Sequence, residues 1–349
     1  MARIGIIGVG AMGGPMAENL LADGNELFVY ARRPAVVDHW RDRGAVACDS
    51  PATVTDAAET IITILPEDDD VVEVVSGESG VAAAAAADKL LIEMSTIHPK
   101  TVRALVAQLK ELGMGMIDAP VSGGPSGAAK ATLTIMVGGA DDDVSRAMTV
   151  LTTLGENIIH LGPSGAGQTT KLVNQLLAGG VMTLIGEALA IARAAELNLE
   201  QVAEVVSTSS GGSTIFSARH RFVSENRFEP GFRCDLMRKD VRLAIELAEQ
   251  MGVQTDVARA ALTQYASASA SGDGDSDFSV VSKQAAAGYN HTHAIRQPLQ
   301  WSLPSPSLRA DSHAFHDAFR NALHLAFDEP GDAGRAVCGN RIRSASRRA

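Results

Sequence analysis

A short apolar run at residues 4–7 leads into Gly8-Val9-Gly10-Ala11-Met12-Gly13, and Met16, Ala17, Leu20 and Leu21 then repeat at helical spacing. This Gly-x-Gly-x-x-Gly loop between a strand and a helix is the tightest constraint in the chain. Gly8 allows a sharp turn, Gly10 lets a diphosphate approach the backbone, and Gly13 lets the helix pack closely on the strand. The helix N-terminus presents amide donors to phosphate oxygens. The pattern predicts a dinucleotide-binding βαβ unit, with Gly8, Gly10, Ala11, Met12 and Gly13 against the cofactor.

The next predicted strand, "ELFVYARR", ends where an acid would accept the ribose 2′-hydroxyl of NAD. Arg32 and Arg33 stand there instead. A guanidinium suits a 2′-phosphate, so the reading favours NADP(H) as cofactor and still admits NAD(H). Strand signals continue in "AETIITILP", "DKLLIEMSTI", "GMIDAPVSGG", "ATLTIMVGG" and "ENIIHLG", with helical stretches such as 81–87 and 99–111 between several of them. That alternation predicts an α/β domain of Rossmann type, a mostly parallel sheet with helices on both faces. Ligands in such sheets lie beyond the carboxyl ends of the strands, which places Leu65, Pro66 and Thr96 near the nicotinamide end. Glu67, Asp68, Asp69 and Asp70 read as acids at a helix N-terminus rather than metal ligands.

After residue 163 the strand signals fade. Residues 168–196 read as one helix about 43 Å long, with Leu172, Leu176, Gly179 and Gly180 spaced to receive a neighbouring helix. Further helices are expected at 199–208, 214–225, 235–251 and 256–270. The predicted architecture is a dinucleotide-binding domain at 1–163 and an all-α substrate and oligomerisation domain at 164–287, joined by the long helix, with a cleft between them.

Two segments carry chemistry toward that cleft. In "GAGQTTKLVNQLL", Lys171 and Asn174 lie i,i+3 and share a helix face. A buried lysine can give a proton to an alkoxide or take one from an alcohol, which arginine cannot; spacing alone leaves a solvated lysine open. In "APVSGGPSGA", Ser122, Gly123 and Gly124 follow a strand and offer a hydroxyl and free amides to a small carboxylate; an ordinary turn is the alternative. Lys239-Asp240, in "DLMRKDVRLAIELAEQ", reads from sequence alone as a surface pair.

Four segments, "GVGAMGGPMAENL", "DAPVSGGPSGAAKATLTIMVGG", "GAGQTTKLVNQLL" and "FEPGFRCDLMRKDVRLAIELA", resemble in order the signatures of the β-hydroxyacid dehydrogenase family. The resemblance covers residues 3 to about 284. It implies an NAD(P)-dependent oxidoreductase interconverting a small β-hydroxy acid and its semialdehyde. Lys171 would be the catalytic lysine and Asn174 a substrate ligand. Ser122, Gly123 and Gly124 would bind the substrate carboxylate, and Leu65, Thr96 and Lys239 would touch the cofactor. It also implies a homodimer or homotetramer. Met237-Arg238 and Pro125 depart from patterns seen in the family and bear on substrate identity. A decarboxylating enzyme like 6-phosphogluconate dehydrogenase, and a cofactor-binding module that has lost catalysis, are the alternative readings.

The remaining 62 residues, 288–349, match nothing in the family and read as a poorly ordered appendage, with one short helix conceivable around "SHAFHDAFRNALHLAF". Residues 291–349 hold 8 Arg, no Lys and 5 acids, against 22 basic and 36 acidic residues before them. His291, His293, His313, His316 and His324 cluster there without an evident further ligand, and no metal is expected. A net charge of −11 speaks against broad nucleic-acid binding. No run approaches the roughly 20 consecutive apolar residues of a membrane span. Three cysteines without metal or redox spacing suit a reducing cytoplasm.

Overall fold

The computed structural model describes residues 1–285. The expectations for the tail, including its histidine cluster, lie outside the described residues. In the first half, strands β1 (Arg3–Ile7), β2 (Glu26–Tyr30), β3 (Val46–Ala47), β4 (Thr60–Thr63), β5 (Leu90–Glu93) and β6 (Gly115–Asp118) form one all-parallel sheet. Its order is β3-β2-β1-β4-β5-β6, the doubly wound arrangement whose direction reverses between β1 and β4. Helices α1 (Gly13–Ala22), α2 (Pro34–Arg41), α3 (Pro51–Ala57), α4 (Asp68–Ser76) and α5 (Pro99–Glu111) make the crossovers.

The strands are apolar on both sides because both faces are covered. Ile4 and Ile6 of β1 join Ile62, Leu90 and Ile92 in a core with Met16, Ala17 and Leu20 of α1. Ile7, Ile61 and Leu91 face the other way, onto Val54 of α3, Val71 and Val75 of α4, and Val102, Leu105 and Leu109 of α5. Successive side chains of each strand thus feed two different cores.

Two details differ from expectation. The segment read as one strand in "GMIDAPVSGG" divides into β6 and β7 (Val121–Ser122). β7 pairs antiparallel with β8 (Leu133–Val137), which pairs parallel with β9 (Gly155–His160), so a second sheet of three strands exists. Helices α6 (Gly124–Ala129) and α7 (Asp141–Leu154) flank it. Pro120, which lacks an N–H, sits between β6 and β7 where the ladder changes. The stretch expected to be helical at 81–87 forms only a short 3₁₀ turn, Val81–Ala84.

The second half is helical: α8 (Ala166–Ala194), α9 (Leu199–Ser207), α10 (Thr214–Ser224), α11 (Cys234–Gln250) and α12 (Asp256–Ala268). α8 runs through the middle, against α10, α11, α12 and the 3₁₀ turn Phe278–Ser282. It is the one described helix long and apolar enough to cross a membrane by length and composition, and 44% of that window is buried inside the protein. Gly179 explains its closest approach, since a Cβ there would lie 2.6 Å from Val241 Cγ2 of α11. Gly180, expected to share that role, faces open space. The described residues pack as one compact unit.

Candidate active site

The glycine loop closes as its spacing requires. Gly8 adopts φ +107°, and a Cβ on Gly13 would lie 2.1 Å from the Gly8 carbonyl oxygen. A Cβ on Gly10 would meet nothing within 4 Å, so its backbone borders free space at the start of α1. That space is a groove of about 710 Å³ lined by Gly8, Val9, Gly10, Arg32, Leu65 and Pro66 among others. Its size and its glycine floor fit a dinucleotide. Ala11 is exposed in the turn, and Met12 precedes α1 and packs partly on the core. Arg32 lies in the same groove, largely exposed, 3.2 Å from Asp70 at the start of α4.

Lys171 is buried in α8. Its Nζ donates to Gln175 Oε1 at 3.1 Å, one turn along, and Asn174 Nδ2 donates to the same oxygen at 3.1 Å. Gln175 Nε2 donates to Asp240 Oδ2 of α11 at 2.7 Å. Asp240 Oδ1 is 3.3 Å from Lys239 Nζ. Lys239 Nζ donates in turn to the carbonyl oxygens of Pro66 at 2.7 Å and Thr96 at 2.6 Å. The pair read from sequence as a surface feature is therefore buried, its lysine held by the loops after β4 and β5. Through Lys239, Lys171 and Asn174 connect to the Leu65-Pro66 end of the groove.

Burial lowers the Lys171 pKa to about 8, with Asp240 opposing that shift and Lys239 adding to it. An amine so placed is present in both protonation states near neutral to mildly alkaline pH. Ser122 ends β7, Gly123 is the N-cap of α6 and Gly124 is its first residue. Gly123 and Gly124 both have positive φ, +133° and +63°, and Asn19 Nδ2 of α1 donates to the Ala128 carbonyl at 2.7 Å, holding α6 to α1.

Four buried polar residues escape a reading that stops at Lys171 and Asn174. Besides Gln175, Gln168 straddles the β5–α5 connection. Its Nε2 donates to the Ser95 carbonyl at 2.7 Å and its Oε1 accepts from Ile97 N at 3.1 Å. Asp118 caps α8, accepting from Gly165 N at 2.7 Å and Gln168 N at 2.8 Å. Burial raises its pKa to about 6. Glu93, at the end of β5, accepts from Ser95 N at 2.6 Å and from Thr63 Oγ1, and burial raises its pKa to about 7. One sequence signal existed for part of this set: Gln168, Lys171 and Gln175 recur at i, i+3 and i+7, on one face at the head of a helix whose later turns are apolar.

A doubly wound parallel sheet, a glycine-floored groove at its switch point and a buried lysine beside it define an NAD(P)-dependent oxidoreductase. Two family models match in tandem: the NAD binding domain of 6-phosphogluconate dehydrogenase over residues 3–162, and the NAD-binding region of NADP-dependent 3-hydroxyisobutyrate dehydrogenase over residues 165–284. The chain belongs to the β-hydroxyacid dehydrogenase family. It is 36% identical to the 2-(hydroxymethyl)glutarate dehydrogenase of Eubacterium barkeri over 282 residues, covering 80% of this chain and 94% of that one. It is 34% identical to the 3-sulfolactaldehyde reductase of Escherichia coli over 297 residues, covering 85% and 100%. Among solved structures, the 3-hydroxyisobutyrate dehydrogenase of Mycobacterium tuberculosis with L-serine superposes with a TM-score of 0.75 at 32% identity, covering 81% and 99%.

Proposed function

We propose that the protein is an NADP(H)-preferring dehydrogenase that interconverts a small β-hydroxy acid and its semialdehyde, with Lys171 as the proton-transfer group. The buried position of Lys171, its lowered pKa and its contact with Gln175 carry this reading. The nicotinamide, when bound, supplies or accepts the hydride. Lys171 Nζ gives a proton to the carbonyl-derived oxygen in reduction and takes one from the hydroxyl in oxidation. Gln175 Oε1 holds the amine and the Asn174 amide together, and Asn174 orients the substrate oxygen. Ser122 and the amides of Gly123 and Gly124 receive the carboxylate. Gly8, Gly10, Ala11, Met12 and Gly13 border the diphosphate. Leu65, Pro66 and Thr96 flank the nicotinamide, with Lys239 holding two of their carbonyls. Arg32 supports the preference for NADP(H), because its guanidinium lies in the groove at the end of β2.

Relatives named for 3-hydroxyisobutyrate and 2-(hydroxymethyl)glutarate support a substrate bearing a hydroxymethyl group on the carbon that carries the carboxylate. We place the working protein as a homo-oligomer in the cytoplasm. Val173, Leu177, Leu184 and Ile191 are exposed on α8 at spacings close to whole turns, an apolar stripe suited to a second copy. Cys48 and Cys234 are free thiols. The domains divide at residue 163, before the catalytic helix begins.

The test is a panel of small hydroxy acids and semialdehydes offered with NADPH, NADH or their oxidised forms, followed by nicotinamide absorbance. Turnover of a β-hydroxy acid or its semialdehyde is expected, and silence across the panel in both directions refutes the reading.

A further inference from the structure

The adenosine end of the groove carries two opposed signals. Arg32 and Arg33 stand at the end of β2, where a dinucleotide fold reads the 2′ position of the adenosine ribose. Asp49, Asp70 and Glu73 line the same space. Asp70 is the acid that engages the reader directly, its Oδ1 lying 3.2 Å from Arg32 Nη1. The arginine side chain is 75% exposed and the aspartate side chain 24% exposed, so Arg32 projects largely into solvent while Asp70 lies mostly covered on the first turn of α4.

We propose that Asp70 sets the cofactor choice of this groove, because its carboxylate occupies Arg32, opposes a 2′-phosphate, and stands in for the missing acid that accepts an unphosphorylated ribose hydroxyl. An exposed ion pair is weak, so Arg32 leaves Asp70 readily when a phosphate arrives. The carboxylate remains on the first turn of α4, lining the groove, and repels the phosphate at short range. A ribose hydroxyl reverses the balance by donating to that carboxylate. Arg32 and Asp70 thus form a paired reader in which each member favours one cofactor, and the chain discriminates less than Arg32 alone would. This inference rests on the cofactor assignment proposed above and concerns a residue that assignment does not use.

The test is isothermal titration of the full chain, without substrate, with NADPH and with NADH. Asp70→Asn removes the charge and keeps the shape, whereas Asp70→Glu keeps the charge. The Asn variant is expected to tighten NADPH by about three- to tenfold and to weaken NADH, while the Glu variant keeps the wild-type ratio of dissociation constants. A ratio that moves by less than about threefold in the Asn variant overturns the inference, as does a Glu variant that behaves like the Asn variant. A wild-type protein that binds NADH more tightly, with the Asn variant still shifting the ratio toward NADPH, overturns the NADP(H) preference and upholds the role of Asp70. A wild-type protein that binds neither overturns both.

Discussion

Lys171 and Gln175 lie one turn apart on the same helix, joined by a 3.1 Å hydrogen bond from the amine to the amide oxygen. Because Gln175 also holds Asp240, the amine is oriented without a carboxylate directly on it. A direct ion pair would raise the lysine pKa and favour the ammonium. An amide oxygen positions it and leaves its proton exchangeable.

Lys171→Ala should therefore reduce turnover by about 10²–10⁴-fold, while the dissociation constant for NADPH in the absence of substrate changes little. Lys171→Arg should fare no better, since a guanidinium keeps its proton. Steady-state kinetics beside a binding titration checks both expectations. A variant within tenfold of wild-type kcat contradicts the role.

The pH profile should report the same amine. With the Lys171 pKa lowered to about 8, oxidation, which needs the neutral amine, should rise with pH through about 8, and reduction, which needs the ammonium, should fall there. The Asp240 carboxylate pulls that pKa upward. Asp240→Asn should move both limbs to lower pH. A shift to higher pH would contradict the electrostatic account.

Lys239→Met should destabilise the fold by about 3 kcal/mol. It strips buried Asp240 of its cation and leaves the carbonyls of Pro66 and Thr96 without their donor. Chemical denaturation measures this directly, and a loss below about 1 kcal/mol would show that the contacts are dispensable.

Glu93 gives a pH dependence of opposite sense to an ordinary surface ion pair. Its pKa is raised from 4.5 to about 7 by burial, so the folded chain favours the protonated acid. The stabilisation this gives is complete below the unfolded value near 4.5 and is lost as pH rises through about 7. Stability measured from pH 5 to 8 should decline by on the order of 2–3 kcal/mol more in wild type than in Glu93→Gln. Parallel curves for the two proteins would refute the assignment.

The fold was legible because its signals are local. Alternating strand and helix patterns and the glycine loop each arise within about twenty residues, and the long helix, expected at 168–196, appears as Ala166–Ala194. The splitting of 115–124 into β6 and β7 depends instead on β8 pairing from further along, which no local pattern announces. The site divides similarly. Lys171 and Asn174 share a face by spacing alone, yet the burial of Lys239 comes from loops more than 140 residues earlier in the chain. Asp118 lies inside the segment read as one strand, and its work as the cap of α8 depends on a contact 47 residues away.

α8 is about 43 Å of continuous backbone, anchored at its first turn by Asp118 and Gln168 and greasy on one flank for much of its remaining length. On the assignments proposed above, chemistry and self-association would share a single rod. A second copy seated on the outer flank would also steady the reactive nitrogen, and pulling the copies apart would slacken the catalyst without touching any atom of its pocket.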